Sequence, residues 1–148
     1  MKTSNRFNNA ISNLYKAFHN DTLNPNDCKQ CAVGNILNNK DNWKHFTDIH
    51  GSIQLNYIGL VHQNLGRKFN GYTPIELLKI ENSFLRSCGY ELGKNHCYKP
   101  EMNFNKIILF NGLCEVVSLL CQFDGIPNVM DCSALFKYNK HSKGLKFA

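Results

Sequence analysis

The sequence predicts an all-α fold, a compact single-domain bundle of five to seven helices. Three observations carry that prediction. Phe7, Ile11, Leu14, Tyr15 and Phe18 recur at helical spacing. Thr73-Pro74-Ile75-Glu76 has the composition of a helix start, with a capping residue, Pro in the first turn and a Glu three residues on. No strand-helix-strand unit, internal repeat or linker is found, and 148 residues suffice for one core that buries roughly two-thirds of the unfolded chain's surface.

The elements follow in order. Residues 5–19 form an amphipathic helix with Ser4 or Asn5 as its cap. The stretch from Asn20 to Asp27 is dense in turn formers, and Pro25 disfavours helix at Asn24, so it is a loop. The run Ala32-Val33-Gly34-Asn35-Ile36-Leu37 is a short helix entered from Asp27 as cap. It stops in the polar run from Asn38 to Asn42. Residues 43–51 carry His45 and His50 without a clear periodicity. Ile53–Phe69 fits a helix with Leu55, Ile58, His62, Leu65 and Phe69 on its inner face. A helix from 74 to about 88 follows, closed by Gly89. Residues 90–102 read as loop, 104–123 as a long helix, and Asp131 caps a last short helix through Phe136. The domain is therefore expected to span 1–136, with 137–148 as a basic tail.

Polarity in this chain is mostly amide: charged residues make up 19%, below the usual ~25%, whereas Asn occurs 21 times. The formal charge of +6 allows an acidic partner or nucleic acid. Much of it lies in the tail, at Lys137, Lys140, Lys143 and Lys146. A second basic patch, Arg67 and Lys68 beside Phe69 and Tyr72, mixes cations with aromatics as single-strand binders do. No apolar leader follows Lys2 and Arg6, and the most apolar run, Ile107–Phe123, is broken by Asn111, Gly112, Glu115, Ser118 and Gln122. Neither a secretory signal nor a membrane span is expected. Seven cysteines, an odd number at uneven spacing, suit reduced thiols in a cytoplasm.

One spacing carries chemistry. Cys28, Cys31, His45 and His50 form C-x2-C-x13-H-x4-H, within the range of a two-Cys, two-His zinc site. Two soft thiolates come from one turn and two imidazoles from a second segment. The apolar residues of a nucleic-acid-reading finger are absent between the ligand pairs. His45 and His50 also stand about 140° apart on a regular helix, so the helix must end or bend between them. The expected role is structural zinc in a small interaction domain. A second reading makes Cys31 the nucleophile of a cysteine-dependent hydrolase or transferase, activated at a helix N-terminus and served by His45, His50, His62 or His96 as base. Cys97, with His96, is a further candidate partner for Cys28 and Cys31. Cys114 and Cys121 read as core thiols, Cys88 as the close of its helix, and Cys132 as packed inward. No flavin or NAD motif is present.

Cys28–Leu37, Gln54–Tyr72 and Asn111–Cys114 resemble segments of a group of short bacterial proteins of the Bacteroidota type. The resemblance covers most of the chain and implies a bacterial cytosolic origin without supplying an activity. Some of that group share a name with the NADH-oxidising component of the sodium-translocating NADH:quinone reductase, which would imply a ferredoxin-type iron–sulfur domain with flavin and NADH sites. The single C-x2-C and the missing glycine-rich motif depart from that pattern, so electron transfer is not carried over.

Overall fold

Local caps set most of the helix boundaries. Helix α1 (Asn5–His19) starts where the Ser4 hydroxyl accepts the Phe7 amide, and buries Phe7, Ala10, Leu14, Ala17 and Phe18. Helix α2 (Ala32–Ile36) is capped by Cys31, whose Sγ accepts the Gly34 amide at 3.3 Å. The expected cap, Asp27, instead closes the preceding turn: its carbonyl accepts the amides of Gln30 and Cys31, and its Oδ1 accepts that of Lys29. A short 3-10 helix (Asp41–His45) follows. Helix α3 (Tyr57–Asn64) is half the expected length, because Asn56 caps it and Gly66 turns left-handed at φ 71° behind it. In helix α4 (Pro74–Ser87) the expected capping box between Thr73 and Glu76 is complete, and Gly89, at φ 100°, ends the turn behind Cys88. Helix α5 (Lys106–Phe123) is capped by Asn105, and α6 (Cys132–Leu135) by Asp131.

The computed structural model describes residues 3–27, 29–39, 41–93, 96–100, 105–128 and 131–138. Cys28, Lys140, Lys143 and Lys146 therefore lie outside the described residues. Six α-helices are present among them, so the all-α class holds. The expected loop after α4 contains one small hairpin, β1 (Glu91–Leu92) against β2 (Cys97–Tyr98), antiparallel with Glu91 opposite Tyr98 and Leu92 opposite Cys97.

The α4–α5 pair is the centre of the molecule; α1 packs on α2 and α5, while α2 and α3 both lean on α4. Gly112 brings α5 close to α4, since a Cβ there would stand 2.8 Å from the Phe84 ring. Leu14, Phe18, Leu77, Ile80, Phe84, Leu113, Leu120 and Phe136 are fully buried between these helices. Helix α5 is long and apolar enough to cross a membrane by length and composition. Its Phe110, Leu113, Val116, Val117, Leu120 and Cys121 are nevertheless buried against the rest of the fold, the pattern of a core helix. Packing continues to Tyr138, whose ring meets those of Phe18 and Phe110.

The asparagines have structural work. Asn56 and Asn105 cap helices, Asn38 and Asn39 take left-handed backbone at φ 60° and 62°, and Asn13 and Asn70 both donate to the Ile36 carbonyl. Short amides suit these positions because they satisfy loop and helix-end backbone without a charge to solvate.

Candidate metal centre

The turn at residues 27–31 presents the C-x2-C segment at the head of α2. Cys31 is 0% exposed. Its thiol donates to the carboxylate of Glu81, a residue on the buried face of α4 between Leu77 and Phe84. Glu81 Oε1 also accepts the Val33 amide at 3.4 Å. Burial pushes the Glu81 carboxyl above its ordinary pKa; the nearby His50 and the donors on Cys31 and Val33 oppose that rise.

His50 reaches the same carboxylate from the other side, with Nε2 3.8 Å from Glu81 Oε2. Nε2 also lies 2.6 Å from the Pro25 carbonyl. A carbonyl can only accept, so the ring proton sits on Nε2 and, in the neutral imidazole, Nδ1 carries the lone pair. Nδ1 is buried and has no hydrogen-bond partner, and the same holds for Tyr72 Oη and Asn82 Oδ1 elsewhere in the fold. Gly51, beside His50, has φ 88°, and a Cβ there would lie 2.5 Å from Cys97 Sγ, which places Cys97 at the edge of this cluster. Tyr90 closes it by donating its hydroxyl to Asn26 Oδ1.

Two of the four expected ligands, Cys31 and His50, thus meet at one buried carboxylate. His45 does not join them: the 3-10 helix ends there, the side chain is exposed, and its carbonyl accepts from Asn56 Nδ2 at 3.0 Å. Cys28 lies outside the described residues. Among the described residues no group of three or more His, Cys, Asp or Glu side chains is disposed to hold a metal ion. Glu81 is absent from the set that the sequence singles out, although a carboxylate four residues after Leu77 and three before Phe84, inside an apolar stripe, is the signal that finds it.

Other expected sites resolve differently. His62 lies on Phe46 and Phe69, and its Nδ1 faces Arg67 at 3.1 Å. His96 stacks on Tyr98. Cys121 is fully buried, as expected, whereas Cys114 is half-buried and its thiol pairs with that of Cys132. The aromatics of the basic patch belong to the core: Tyr72 is 0% exposed beneath the Arg6 guanidinium, and Phe69 packs on Phe46. Neither ring is free to stack on a base.

Comparison of the chain with protein-family models, with curated proteins and with solved structures finds no match.

Proposed function

We propose that the protein is a small bacterial cytosolic interaction domain stabilised by a structural zinc ion at the Cys28–Cys31 turn. His50 carries this reading. A metal-bound imidazole holds its other ring N–H on a carbonyl or carboxylate, which fixes the tautomer and frees one lone pair for the ion. The bond from His50 Nε2 to Pro25 and the buried, unpartnered Nδ1 have that character. The complete burial of Cys31 favours a closed structural centre over an open catalytic one. In this reading Cys28, Cys31 and His50 are ligands, and Glu81 takes the place expected of His45, since a carboxylate oxygen is an acceptable zinc donor. The cytosolic setting is supported by six described cysteines that are all free thiols.

Elemental analysis and thiol counting on untagged native protein test the proposal. About one zinc per chain, lost in Cys31→Ser and in His50→Ala, is the expected result. Absence of stoichiometric metal would overturn it. The same experiment addresses the cysteine-enzyme reading, which requires rapid, stoichiometric labelling of Cys31 at pH 6 and therefore access to a side chain that is fully covered here.

A further inference from the structure

Helix α3 presents its apolar side to solvent. On a wheel of 100° per residue, Leu60, Asn64, Tyr57, Val61, Leu65 and Ile58 fill an outward arc of about 160°. Tyr57 is 81% exposed, Leu65 60%, Ile58 49% and Leu60 46%. The inward side holds Gly59, which is buried, and His62, which packs on Phe46 and Phe69. The helix is firmly seated in this orientation. A Cβ at position 59 would stand 2.7 Å from the Phe46 carbonyl oxygen, and Asn56 ties the start of the helix to the His45 carbonyl. The Ile75 amide donates to Gln63 Oε1, which brings half-exposed Ile75 to the same surface. Scattered exposed apolar side chains need no explanation, but a contiguous set on one helix marks an interaction surface.

We propose that the outward face of α3 docks an acidic amphipathic helix of another protein. From Ile49 to Ile75 the chain contains no Asp or Glu, while Arg67 and Lys68 follow the helix and are exposed. The rim is therefore cationic only, and it complements apolar side chains flanked by carboxylates. A second copy of the chain would bring the same cations and the same charge of +6. An anionic bilayer is held by clusters of about four to eight Lys and Arg, more than α3 offers. This proposal supplies the partner class for the interaction domain above. It stands on α3 alone, so a metal-free protein would leave it intact.

In-cell photo-crosslinking tests it, with Leu60→p-benzoylphenylalanine in the full chain and the crosslinked peptide sequenced. The expected product is a segment of one other protein with helical apolar spacing and net negative charge. A synthetic peptide of that segment should bind the wild-type chain. Binding should weaken at least tenfold in Leu65→Asp, and several-fold in Arg67→Glu/Lys68→Glu or on raising salt. Leu65 is mostly exposed, so the first variant should keep the fold, which circular dichroism checks. Crosslinks to a second copy, to phospholipid, to nucleic acid or to a segment without net negative charge would each overturn the proposal. So would a yield no higher than that of the same photo-crosslinker at exposed Asn9.

Discussion

The carboxylate of Glu81 and the imidazole of His50 lie 3.8 Å apart, with Glu81 almost wholly buried and His50 about three-quarters buried. Glu81 is also the acceptor for the Cys31 thiol and the Val33 amide, so one side chain of α4 joins α2 and the His50 segment. Replacing Glu81 by Ala leaves those donors unpaired and should destabilise the fold by about 2–3 kcal/mol. Glu81→Gln, which keeps an acceptor in place, should cost less. Urea unfolding of both variants checks the order, and equal costs would show that the hydrogen-bonding role is misassigned.

Arg6 joins three helix ends. Its guanidinium contacts Asp124 at 2.7 Å, Glu76 at 3.3 Å, and the carbonyls of Gly71 and Phe123, with the Tyr72 ring 4.6 Å away. Lysine offers a point charge and cannot span these acceptors. Arg6→Lys should therefore lose about 1–2 kcal/mol despite the unchanged charge. A thermal midpoint unchanged from wild type would show that charge alone suffices.

Gly112 sets the distance between α4 and α5. Gly112→Ala would normally favour a helix by up to about 1 kcal/mol. Here the added carbon meets the Phe84 ring at 2.8 Å and Cys88 Sγ at 3.2 Å, both buried. Overpacking should win, for a net loss of about 1–2 kcal/mol. A stabilised variant in chemical denaturation would mean that the seam has room to open.

Cys88 makes the fold sensitive to alkali. Burial, with help from Glu81, pushes its thiol from an ordinary 9.0 up to about 12. The native state thus holds the proton longer than the unfolded chain, so the stabilising contribution is complete below pH 9 and is lost as pH rises from there through 12. The urea midpoint should fall more steeply between about pH 8 and about pH 10.5 for wild type than for Cys88→Ala. Parallel profiles would exclude Cys88 as a contributor.

Helix starts and stops are legible in the sequence because their causes are local. Ser4, Thr73, Gly89 and Asp131 act within three or four residues, and α1 and α4 run as their caps and apolar periods indicate. Asp27 does not cap α2 because two acceptors compete for that turn. Asp27 satisfies the amides within it, which leaves the Gly34 amide to Cys31. Half of the candidate centre is also visible in the spacing: Cys31 and His50 meet, while His45 points to solvent.

The face of α3 and the role of Glu81 depend on long-range contacts. Ile58 and Leu65 have the spacing of an inward stripe, yet they face water, because Gly59 alone can approach the Phe46 carbonyl and that contact sets the rotation of the helix. Glu81 has the sequence position of a misplaced surface charge, and it acquires partners only when α2 and His50, 48 residues and 31 residues away in the chain, are folded against it. Caps and periodicity specify where this chain is helical. Which side of each helix is covered, and which polar groups are enclosed together, is settled by close packing between elements distant in sequence.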